Sequence, residues 1–86
     1  MKCRSGYKCI IVESFITNEP GHRYPIEIRP IPGQEYSSTM LVECSMKMRT
    51  DYPVGTKFRL CVAVKQKEQS RPHLYSYHAW PFEVLE

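Results

Sequence analysis

Residues 39–49 alternate strictly between two kinds of side chain. Met40, Val42, Cys44, Met46 and Met48 fall on one parity, and Leu41, Glu43, Ser45, Lys47 and Arg49 on the other. A strand with one buried face produces that period of two, whereas a helix needs apolar residues three and four apart. Methionine and glutamate lean towards helix, but a pattern held over ten residues outweighs small intrinsic preferences. The run predicts a long strand.

Prolines and glycines divide the rest of the chain into four further strand-like runs. Residues 7–12 hold Ile10, Ile11 and Val12, β-formers on both parities, so cover on both faces is expected. Residues 24–31 place Tyr24, Ile26 and Ile28 on one face and Glu27 and Arg29 on the other. Pro25 and Pro30 cannot donate to a ladder, which predicts an edge strand. Residues 57–65 turn Phe58, Leu60, Val62 and Val64 inward and Arg59, Cys61, Ala63 and Lys65 outward. The short connection from residue 49 to 57 predicts antiparallel pairing with the 39–49 run. Residues 74–85 form the last run, with Pro81 marking a bulge or an edge that changes the register after it.

Five short strands separated by turn signals predict an all-β, mainly antiparallel fold. Its simplest form is a small five-stranded barrel or strongly curved sheet, OB-like or SH3-like. Room for one short helix exists at 13–18 or at 66–71. A chain of 86 residues accommodates one small β domain, residues 1–86, burying about 60–65% of the surface exposed when unfolded.

Mean hydropathy is −0.45, and no apolar run approaches the roughly 20 residues of a membrane helix. No membrane association is therefore expected. The opening residues Met-Lys-Cys-Arg-Ser-Gly lack the apolar stretch and cleavage pattern of a secretory signal. A cytoplasmic location is the expectation, and with it four reduced cysteines.

The cysteines do not have zinc-site spacing. Cys3 and Cys9 are separated by five residues, and Cys44 and Cys61 are distant from them and on opposite predicted faces. Structural zinc sites present closer pairs, and His22, His73 and His78 are scattered, so no metal or other cofactor is expected. Cys61 or Ser76 near His78 resembles no named catalytic signature. The glycines stand singly, without a phosphate-binding pattern. The expectation is a protein that binds and is not an enzyme.

The surface carries the best functional signal. Lys47, Arg49, Arg59 and Lys65 fall on outward parity in two runs expected to be neighbours. Tyr75 and Tyr77 share the outward parity of the last run. Cations that follow a phosphate backbone, interleaved with aromatic faces that stack bases, are how single-stranded nucleic acid is bound. The net charge of +3 supports an anionic partner only mildly, and Glu27, Glu43, Glu68 and Glu83 dilute the field. The alternative is a protein-interaction or homodimerisation module. Tyr75, Tyr77, His78, Trp80 and Phe82 crowd into the last run, and such residues dominate interface hot spots. A structural domain with no ligand is the third reading.

Overall fold

A computed structural model describes residues 2–17, 25–66, 72–77 and 79–85. Those residues form β1 (Lys8–Ile16), β2 (Ile26–Pro30), β3 (Val42–Glu43), α1 (Lys47–Thr50), β4 (Lys57–Lys65), β5 (His73–Tyr75) and β6 (Glu83–Leu85). The fold is mostly β with one short helix. The strands make one sheet in the order β2-β1-β4-β5-β3, and β6 lies beside β5 along the same edge of β4. All pairings are antiparallel except β3 with β5.

The strand at 57–65 lies where the alternation puts it, and it is the hub of the sheet. Its inward residues Phe58, Leu60 and Val62 are fully buried with Ile10 and Val12 of β1, Ile28 of β2, Val42, Met48 and Leu74. Phe58 takes Tyr52 and Phe82 edge-on at centroid distances of 5.3 and 5.5 Å. Such contacts add about 0.5–1.5 kcal/mol each to the burial of the rings. Two of its residues depart from parity: Val64 is exposed although its ladder partner Leu74 is buried, and Cys61 is buried on the outer face.

The long strand expected over residues 39–49 does not form. Only Val42 and Glu43 are extended, and one helical turn follows at Lys47–Thr50. The Ser45 hydroxyl accepts from the Lys47 amide, and the Asp51 amide donates to the Lys47 carbonyl, which ties off both ends of the turn. The helix-favouring Met, Lys and Arg residues prevail here. Val42 and Met48 still reach the core, with Met40 and Cys44 packed against it, so alternation identified most of the buried side chains. The helical turn swings Met46 outward, where it is 46% exposed. A second correction follows: β4 pairs with β1, β5 and β6 rather than with the 39–49 run, because β1 already occupies its flank over residues 57–62.

The 74–85 run is split as Pro81 implies. On that edge of β4, Leu60, Cys61 and Val62 fall between the β5 and β6 ladders, and seven residues of sequence separate Tyr75 from Glu83. This excursion projects Tyr77 and Trp80 from the sheet, and Phe82 returns to the core.

The sheet does not close into a barrel. β2 and β3, its outer strands, approach each other without a ladder. Ile31 and Thr17 amides bond to Ile11 and Pro25 carbonyls, so the odd positions of the β2 segment face β1. Pro30, an even position, faces the free edge and has no N–H to offer β3. Arg49 spans the gap instead: its Nη2 donates to the Val42 carbonyl at 3.4 Å and lies 3.5 Å from Glu27 of β2.

Of the two places expected to accommodate a helix, 13–18 is mostly strand, since β1 runs on to Ile16. The other, 66–71, lies almost wholly outside the described residues, as do Tyr24, His22 and His78. Among the described residues, no helix is long and apolar enough to cross a membrane.

Candidate functional site

The outer face of the sheet carries the side chains that alternate with the core. Register sets them in rows. Tyr75 of β5 is opposite Ala63 of β4, and Tyr7 lies one residue before Lys8, which is opposite Val62. Tyr7 and Tyr75 therefore flank the small Ala63. Cys9 of β1 is opposite Cys61 in the next row, and Arg59 and Ile11 in the row after that.

The reduced cysteines expected from the sequence are corrected here, because Cys3 is bridged to Cys61 at a Cα separation of 5.5 Å. The bridge fastens the N-terminal segment across the outer face and explains the burial of Cys61. A turn with the Tyr7 amide on the Arg4 carbonyl and Gly6 at φ 87° leads from the bridge into β1. Positive φ at that position is where glycine is favoured. The segment brings Arg4 5.4 Å above the Trp80 ring and Tyr7 edge-on to it at 4.7 Å. Tyr77 closes on Trp80 from the excursion at 5.8 Å. Beside them, Lys65 Nζ lies 3.9 Å from the centroid of Tyr75. Four aromatic rings and two cations thus share one end of the outer face. Tyr77 is exposed, and Tyr7, Tyr75 and Trp80 are half-buried.

The predicted patch is brought together only in part. Lys65, Tyr75 and Tyr77 belong to this cluster. Arg59 is on the same face but is paired with Glu83 at 3.0 Å. Lys47 and Arg49 are on α1, which packs on β2, two strands away from β4. Lys47 is exposed there. Arg49 is largely buried at the seam, and its Nε has no hydrogen-bond partner among the described residues. It lines a cleft of about 280 Å³ with Glu27, Leu41, Val42, Glu43 and His73. His73 Nε2 lies 3.1 Å from Glu43 there. Nearby, burial pushes the Cys44 thiol up to about 11. Elsewhere on the sheet, Arg29 pairs with Glu13 and Lys8 with Glu35, which holds the Lys8 ammonium above the ordinary lysine value.

Arg4, Tyr7 and Trp80 were not among the residues expected to bind as a basic and aromatic set. Arg4 precedes the first strand-like run and is carried onto the face by the long-range bridge, whereas Tyr7 opens that run and is set on the face by the β1–β4 register. Trp80 falls on core parity, but it sits in a turn, its amide donating to the Tyr77 carbonyl, and so leaves the extended alternation. No family model, curated protein or solved structure matches the chain.

Proposed function

We propose that this protein is a small binding domain that contacts single-stranded nucleic acid through the outer end of its sheet. The contact surface is Arg4, Tyr7, Lys65, Tyr75, Tyr77 and Trp80. The observation carrying the reading is that Arg4 and Lys65 lie over aromatic rings and form no ion pair with a described carboxylate, whereas Lys8, Arg29, Arg49 and Arg59 each do. A cation against a ring presents both groups that a single strand requires, one for phosphate and one for a base. Small curved β sheets of OB-like and SH3-like form host this mode, and the approach of β2 to β3 supports that likeness. In the cytoplasmic setting suggested by the sequence, the Cys3–Cys61 bridge is a redox-responsive element rather than a permanent staple.

The test is an anisotropy titration of a labelled single-stranded oligonucleotide. Two phosphates neutralised by Arg4 and Lys65 predict a fall of about sevenfold in affinity between 50 and 200 mM salt. Tyr75→Ser should weaken binding about tenfold, the loss of roughly 1–3 kcal/mol of stacking. Absence of binding at tens of micromolar in low salt refutes the reading. A protein-contact or homodimer face is the second reading, favoured by the carboxylate pairing that neutralises most of the sheet's cations. It predicts a complex that survives salt and is lost on Tyr77→Ser, measured by light scattering.

A further inference from the structure

Three cysteines meet on the outer face, and one of them has two suitors. Cys3 holds Cys61 in the bridge, while Cys9 is a free, exposed thiol directly opposite Cys61 in the β1–β4 ladder. The hydrogen-bond phase of β1 fixes what kind of opposition this is. The Ser14 amide donates to the Thr56 carbonyl, so even residues of β1 bond towards β4. The Ile31 amide donates to the Ile11 carbonyl, so odd residues bond towards β2. Cys9 is odd, and its pairing with Cys61 is therefore a non-hydrogen-bonded one. In such antiparallel pairs the Cα atoms are about 4.5 Å apart and the side chains lean together on one face. That spacing lies inside the range a disulfide spans.

We infer that Cys61 is a shared disulfide partner, and that Cys3 and Cys9 exchange for it by thiol–disulfide exchange within the folded chain. The Cys9 thiolate attacks Cys61 Sγ and forms the Cys9–Cys61 bond. The Cys3–Cys61 bond breaks, and Cys3 leaves as a thiolate that takes up the proton Cys9 gave to solvent. One disulfide and one thiol are present before and after, so no oxidant or reductant is consumed. Exchange frees the segment before β1 from the sheet, and with it Arg4 from the face of Trp80. Cys44 takes no part: it lies against the core cluster, and burial disfavours its thiolate. The exchange stands independently of the nucleic-acid reading, since it needs only the register and the bridge.

The full oxidised chain tests this. It is held at pH 8 with a trace of glutathione, quenched in acid at intervals, alkylated under denaturing conditions and digested with trypsin. Cleavage after Arg4, Lys8, Arg59 and Lys65 places Cys3, Cys9 and Cys61 on separate peptides. The expected result is a rising fraction of Cys9–Cys61 linked peptide with alkylated Cys3, until a constant ratio is reached from either direction. Trp80, the single tryptophan, should change emission in step as Arg4 departs. A Cys3→Ser chain should oxidise to the Cys9–Cys61 bridge, and a Cys9→Ser chain should hold Cys3–Cys61 without change. Recovery of alkylated Cys9 alone at all times, a Cys3–Cys9 linkage, or free Cys9 and Cys61 in oxidised Cys3→Ser overturns the inference.

Discussion

Reducing the Cys3–Cys61 bridge removes one bond and leaves every side chain in place, so it isolates what the cross-link contributes. The bridge closes a loop with a sequence separation of 58. In the chain-entropy description, a loop of that length removes about 14 cal/mol/K from the unfolded ensemble, or about 4 kcal/mol at 25 °C. A chain of this size has a total stability of roughly 4–13 kcal/mol, so the loss is a third or more of the whole. The assay is guanidinium unfolding with and without a phosphine reductant, followed by far-UV circular dichroism and by Trp80 emission. With a slope of about 2 kcal/mol/M, the midpoint should fall by about 2 M on reduction. The exchange proposed above adds a control. A Cys9–Cys61 bridge closes a loop of about 50 residues, and the logarithm makes its entropy term only ~0.1 kcal/mol smaller. Oxidised Cys3→Ser should therefore stay near the stability of the intact chain, while Cys61→Ser should match the reduced one. A midpoint shift below about 0.3 M, with reduction verified by mass, refutes the loop-entropy reasoning.

Three other perturbations have definite outcomes. Phe58→Ala empties the centre of the aromatic cluster and should cost about 3–5 kcal/mol in urea unfolding. Arg49→Ala unties the seam between β2 and β3 and leaves the Glu27 carboxylate without its guanidinium. A loss of about 2–3 kcal/mol is expected, reduced when Glu27→Gln is made in the same chain. The Cys44 thiol titrates near 11 when folded, against an ordinary 9.0. Because its folded value is the higher, its contribution is complete below pH 9 and is lost as the pH rises through about 11. Stability of the intact chain should fall over that window by up to about 2–3 kcal/mol more than that of Cys44→Ala, measured as unfolding midpoints at pH 8, 10 and 11.

Alternation read the fold best where both neighbours of a strand are strands. β4 has a ladder partner at every residue, and its bounds Lys57–Lys65 were legible to the residue, with Cys61 and Val64 the departures from its period of two. β2 was legible as an edge because two prolines remove donors, and it pairs with β1 alone. The 39–49 run shows what a period of two cannot say. Side chains at 40, 42, 44 and 48 do meet the core, but a strand is not the only path that delivers them. Two extended residues followed by one helical turn do so as well, with Met46 as the sole cost of the change in period. Helix preference decided together with tertiary facts: β1 had taken the flank of β4, and Arg49 found a carboxylate on β2.

The candidate site was less legible because its parts are joined by register and by a covalent bond rather than by proximity in the chain. Tyr75 and Lys65 meet across the β4–β5 ladder, one diagonal step apart, and parity alone places them on the same side. Arg4 arrives through the bridge that its neighbour Cys3 makes to Cys61, at a sequence separation of 58, and nothing local names that partner. Trp80 depends on a turn inside the excursion, its amide donating to the Tyr77 carbonyl, while the extra residues, even in number, leave Phe82 on the core side with Leu74. Arg59 shows the opposite failure: its parity was right, but the β4–β6 register sets Glu83 directly across from it, so the same row that exposes the cation also neutralises it. A cation on a sheet is therefore available to a ligand according to what stands opposite it. By that criterion Lys65, opposite His73 and leaning on Tyr75, is the residue of β4 on which the proposed binding by this face rests.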